Sequence, residues 1–241
     1  ATAAAEMLHL TRDAKYDTIF KANAEVAKSG TANGPEQQNA AFAYALMPKG
    51  IGDEALKQKC IAAFKKQADV AIGFAEANVF GLTTDIPSLP EMGPVGYWTT
   101  PGMITTVAPR AHFLTREAKY LEATVRSGNF NAGANPDNIV MTSGMGHEAP
   151  RSMLHFDSRY SQQPLPTGYT PYGSTDPQRT DGFNEWVHIW MLPNTMKPNS
   201  RTWPGHEFYV DFFIWPMMVE FTIKQNIGPV AYHHGYLASR P

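Results

Sequence analysis

Apolar residues recur at helical spacing through most of this chain. Ala3, Met7 and Leu8 form one stripe, and Met103, Val107 and Ala111 form another. The same periodicity predicts helices over Pro35–Met47, Asp53–Asn78 and Pro216–Asn226, the last continuing to Leu237. With the two hairpins described next, the pattern gives about eight helices and no strongly alternating strand. The class is therefore all-α.

A short repeat organises these helices. Leu10–Tyr16 reads LTRDAKY and Leu114–Tyr120 reads LTREAKY, near-identity 104 positions apart. In each copy an apolar helix precedes the element and a second periodic run follows it. Thr, then Arg, then an acidic residue before a fresh run reads as an N-cap with acidic first-turn residues. A helical hairpin used at least twice suggests a toroid or solenoid of hairpins rather than a compact bundle.

Between the predicted helices lies a long interval, Asn131–His206, with seven glycines and nine prolines. A loop of that length inside a domain signals function or disorder. Trp186, Trp190, Trp203, Tyr169 and Tyr172 argue for an ordered excursion, because aromatic residues are scarce in disordered segments. Exposed Trp and Tyr suit stacking on the apolar faces of sugar rings. The alternative is that they pack the excursion onto the helices.

Composition narrows the class. With 43% apolar and 17% charged residues and a net charge of −2, the chain has ample core and no basic surplus for nucleic acid. The lone Cys60 excludes an intrachain disulfide and falls on the apolar stripe Ala55, Leu56, Cys60, Phe64 as a small core residue. No stretch is apolar enough to span a membrane. The start, ATAAAEML, has no signal-peptide pattern.

Glu220 stands out. It sits in FYVDFFIWPMMVEFTIKQNIGP, where the other charges are Asp211 and Lys224. A carboxylate among Met217, Met218 and Phe221 is costly to ionise, which favours the proton-holding form of a general acid. Pro216 suits a first helical turn, placing Glu220 on the second turn, where the helix dipole partly opposes that effect. Glu185 and Glu207 are alternative acids. His233-His234 would diverge on a helix, His206-Glu207 lacks the second histidine of a zinc site, and Gly144-Met145-Gly146 lacks the third glycine of a dinucleotide site.

Two segments together resemble glycoside hydrolase family 9, the inverting cellulase-like enzymes. In the first, Tyr209 and Asp211 precede Glu220 at the family's spacing, and Thr222 and Asn226 follow it. Pro216, Val219 and Ile227 depart from the pattern. In the second, Asn135-Pro136 leads to Gly144, Gly146 and Pro150 without gaps. There Leu154-His155-Phe156 replaces the family's His-His-Arg run, leaving Arg151, Asp157 or Arg159 to supply polar contacts.

The resemblance implies an (α/α)6 toroid, with residues 1–241 as the C-terminal part of one catalytic domain. It implies hydrolysis of a β-linked, glucan-backboned polysaccharide with inversion, by a secreted or cell-surface protein. Glu220 would be the acid, Asp211 and Asn226 would orient it or hold the sugar, and His155 would contact the sugar next to the cleavage point. Trp186, Trp203, Tyr172 and Arg159 would complete the substrate-binding set. Inversion needs a second carboxylate to activate water. The family takes it from an Asp-x-x-Asp motif that this chain does not contain, so an N-terminal segment of the same domain, on the same or a separate chain, is the expected partner. No cofactor or catalytic metal is required, and a structural Ca²⁺ is compatible with the family. Two rivals remain: a polysaccharide lyase using Tyr169, His155 and Arg159, and a non-catalytic carbohydrate-binding helical domain.

Overall fold

A computed structural model describes residues 1–81, 83, 106–173, 196–199, 202–203, 208–223 and 230–239. Among them are ten α-helices, numbered here in chain order. They are α1 Thr2–Thr11, α2 Ala14–Asn23, α3 Glu25–Ser29, α4 Gly34–Ala45, α5 Glu54–Glu76, α6 Val107–Thr115, α7 Ala118–Asn131, α8 Phe156–Ser161, α9 Pro216–Val219 and α10 Tyr232–Ala238. No strand occurs among the described residues, so the all-α class holds. The helices beyond the expected eight are α3 and α8, too short for a period of 3.6 to register. None of the described helices is long and apolar enough to cross a membrane.

The chain divides into two compact units, Ala1–Gly73 with Met103–Thr124, and Phe74–Gly102 with Val125–Pro241. In the first unit α1 packs on α2 and α4, and α4 also meets α6. Buried Ala4, Ala5, Ala40, Ala41, Ala63 and Ala68 let the helices approach closely, while Phe20, Tyr44 and Phe64 fill the remaining volume. Cys60 is buried in this core, and its thiol is pushed up to about 12 by desolvation, as befits an inert packing residue. The Tyr44 hydroxyl donates to Asp17 and accepts the Asp53 N–H at 2.8 Å. Lys21 bridges the same two carboxylates at 2.7 and 3.1 Å, tying α2 and α4 to the turn before α5.

Both repeat copies fold alike, and they correct the expected cap. Thr11 and Thr115 are not N-caps but the last residues of α1 and α6. Their hydroxyls donate back to Met7 and Ala111 carbonyls at 2.7 and 2.8 Å. The same oxygens accept the N–H groups of Asp13 and Glu117 at 3.3 and 3.2 Å. Arg12 and Arg116 take left-handed φ values of 62° and 63°, and their N–H groups close the helices onto Leu8 and His112 carbonyls. Asp13 is the cap, accepting the Lys15 N–H at 2.9 Å. The threonine hydroxyl is thus the joint of the hairpin rather than its start.

The second unit has its own apolar cluster of Phe208, Trp215, Met218 and Val219, flanked by Leu154, Met196 and Trp203. After α7, the Asn135 side-chain amide donates to Phe130 and Ile139 carbonyls, both at 2.7 Å, and closes the turn. A Cβ on Gly144 would lie 2.3 Å from Thr167 Oγ1, and one on Gly146 would lie 2.5 Å from Val140 Cγ2. Both residues also have positive φ, so only glycine fits this loop.

His234 on α10 contacts the Asn131 amide at 3.2 Å, and its pKa is lowered by desolvation from the ordinary 6.5. The unfolded chain therefore takes up the proton first as pH falls. Stability attributable to His234 is complete above 6.5 and is lost between 6.5 and the lower folded value. His234→Phe should flatten the drop in melting temperature between neutral and mildly acidic buffer. An equal drop in parent and variant would exclude this origin.

Candidate functional site

The site assembles where three stretches of the second unit meet through their backbones. The Leu154 N–H donates to the Val219 carbonyl at 3.0 Å, Tyr172 N–H to Glu220 at 2.8 Å, and Gly173 N–H to Met218 at 2.9 Å. These bonds correct the expected helix Pro216–Asn226. Helix α9 stops at Val219, and Glu220 follows it in extended conformation with φ −71° and ψ 154°. The carbonyls of residues 218–220, which a continuing helix would fill from residues 222–224, are already taken by the neighbouring stretches. Glu220 therefore does not ride on a second turn. Its half-buried side chain leaves a chain position fixed from two sides.

His155 follows directly on the residue bonded to Val219. It is the N-cap of α8, and its Nδ1 accepts the Ser158 N–H at 3.2 Å. A backbone N–H can only donate, so Nδ1 carries the lone pair and the neutral ring has its proton on Nε2. The Ser158 hydroxyl lies 2.8 Å from Nδ1 and 3.2 Å from the Pro164 carbonyl. The imidazole packs near Tyr169 and Phe221, with centroids 5.6 and 6.1 Å away, and those two rings stack on each other at 4.5 Å. This places a fixed hydrogen-bond donor on the segment adjoining Glu220.

Asp211 is occupied by the protein itself. It accepts the Arg151 N–H at 2.6 Å and the Ser152 N–H at 3.0 Å, and Tyr209 Oη lies 3.4 Å away. Burial, then the neighbouring Asp211 charge, raises the Tyr209 phenol well above its ordinary pKa, which keeps it a donor. Asp211 thus anchors the turn that leads to Met153, Leu154 and His155. A cleft of about 220 Å³ opens beside that turn, lined by Arg151, His155, Ser158, Arg159, Gln162 and Phe213 among others. The exposed Arg159 guanidinium lies over the Phe213 ring at 5.1 Å. Glu220 does not line this cleft.

Of the remaining expected residues, Trp203 is half-buried, packs edge-on to Phe208 at 6.1 Å and donates from Nε1 to the Pro198 carbonyl at 3.3 Å. Tyr172 enters through its backbone bond to Glu220. Trp186, Trp190, Asn226, Glu185, His206 and Glu207 lie outside the described residues. Among the described residues no three His, Cys, Asp or Glu side chains gather into one group. Sequence reasoning missed Ser158 and Phe213. The signal for Ser158 was available as His-x-x-Ser at a helix start, whereas nothing local marks Phe213.

In fold the chain is similar to a metagenome-derived glycoside hydrolase family 9 endoglucanase, with a TM-score of 0.76 at 19% identity, over 99% of this chain and 40% of that one. The family 9 endoglucanase J30 gives 0.78 at 18%, over 99% and 42%. AaCel9A, solved with a cellobiose-like isofagomine, gives 0.77 at 15%, also over 99% and 42%. No family model and no curated protein matches the sequence. At such identities the likeness carries the fold, and it is the helical-hairpin fold that the two motifs implied. The chain spans about 40% of the length of the structures it matches.

Proposed function

We propose that this chain carries the general-acid side of an inverting glycoside hydrolase site acting on a β-linked, glucan-backboned polysaccharide. The observation that carries this reading is the backbone clamp on residues 218–220, which holds Glu220 beside the His155 segment in a fold shared with family 9 endoglucanases. Glu220 protonates the departing glycosidic oxygen. His155 offers Nε2–H to a sugar hydroxyl next to the cleavage point, and Asp211 positions the turn behind it. Arg159, Tyr172 and Trp203, with Trp186 and Asn226, contact the glycan.

The 241 residues contain no Asp-x-x-Asp pair, and the base that activates water is assigned to a partner segment of the same domain. That base should stand about 6.5–9.5 Å from the acid, the gap that admits a water. Secretion or surface display fits a polymer too large to enter a cell.

Product analysis of the chain together with that partner segment, on a soluble β-glucan, tests the reaction class. New reducing ends without unsaturation are expected. An unsaturated end would mean elimination by a lyase, and binding without product would leave a carbohydrate-binding domain.

A further inference from the structure

Helix α8 carries two rings that the site as described does not use. Phe156 and Tyr160 are 53% and 79% exposed, far beyond what packing requires of aromatic side chains. They stand one turn apart at i and i+4, on one side of the helix. Their planes are within 13° of parallel with centroids 6.0 Å apart, so the rings are displaced rather than stacked face to face. Phe156 is braced edge-on by Phe213 at 5.5 Å and 85°, and Arg159 lies over the far partner, Phe213. Two near-parallel apolar plates, one held by its neighbour, lose little freedom when a flat ligand settles on them.

What surrounds them is rich in hydrogen-bond donors. The adjoining cleft offers Arg151, Arg159, Gln162 and Gln163 as hydrogen-bonding groups, and His155 also lines it. Gln162 is held in left-handed backbone with φ 58°, its amide donating to the Arg159 carbonyl at 3.0 Å, which sets the end of α8. Flat apolar faces edged by polar donors match a pyranose ring whose hydroxyls are all equatorial, as in a β-linked gluco-configured chain.

We infer that Phe156 and Tyr160 form a sugar-stacking platform, edged by Arg159, that grips the glycan next to His155. This rests on the reading of the chain as glycan-acting and names the residues that select a gluco-configured ring. In place of polar groups on the run 154–156, affinity comes from ring faces.

The test is calorimetric titration of the full-length protein with a soluble β-1,4-linked gluco-oligosaccharide, run beside a reducing-end assay. Phe156→Ala and Tyr160→Ala should each weaken binding about tenfold, the usual scale for one lost aromatic contact. Phe156→Tyr and Tyr160→Phe should keep the parent affinity, and unchanged melting curves establish that the alanine variants fold. Unchanged affinity in both alanine variants, or no binding by the parent, overturns the platform whatever the reducing-end assay gives. Ring-dependent binding without new reducing ends keeps the platform and removes the hydrolase reading instead.

Discussion

Glu220→Gln in the full-length protein is expected to lower turnover of a natural β-glucan by about 10²–10⁴. Glutamine keeps the shape and hydrogen-bonding reach of glutamate and loses only the transferable proton. The backbone bonds from Leu154, Tyr172 and Gly173 do not involve the side chain, so the fold and glycan binding should survive. An aryl glycoside with an activated leaving group needs little protonation, and its rate should fall much less. Gln at Glu185 or Glu207 should leave most of the activity. Polysaccharide turnover within a few-fold of the parent would make Glu220 structural and end the proposed mechanism.

Asp211→Ala should act through stability. The substitution leaves the Arg151 and Ser152 N–H groups and the Tyr209 hydroxyl without their acceptor. Hydrogen bonds to a carboxylate are worth more than neutral ones, and the expected loss is about 2 kcal/mol in unfolding free energy. Asp211→Asn retains one carbonyl oxygen and should fall between parent and alanine. Denaturant melts of the three proteins measure this directly. If Asp211 held sugar instead, the alanine variant would melt like the parent and show only a raised KM.

The helices of the first unit were legible because their apolar stripes are long and their hairpin is written twice. Where reading failed, the competing interaction was either with residues distant in sequence or a local bond that residue type alone does not reveal. The run from Pro216 looks helical by itself, and its carbonyls are captured by residues 154, 172 and 173. The repeat's threonine looks like a cap, yet its hydroxyl serves both helices at once. Glu220, His155 and Asp211 could be picked out by residue type and motif spacing. What Asp211 holds could not: it reads as a sugar ligand until the main-chain donors facing it are seen. Phe156 and Phe213 are 57 positions apart in the chain, and no local pattern announces that their rings meet.

The clamp on residues 218–220 is made entirely of main-chain amides and carbonyls, which nearly every amino acid supplies. Leu154 and Tyr172 reach it through N–H groups, so the identity of their side chains is open to change without releasing Glu220. Gly173, at φ 85°, has less latitude. The chain thus separates the placing of Glu220 from the lettering of the loops that place it. Side chains on the run 154–156 can change while the backbone of Glu220 stays where it is. A motif altered at those letters is therefore compatible with an unmoved Glu220.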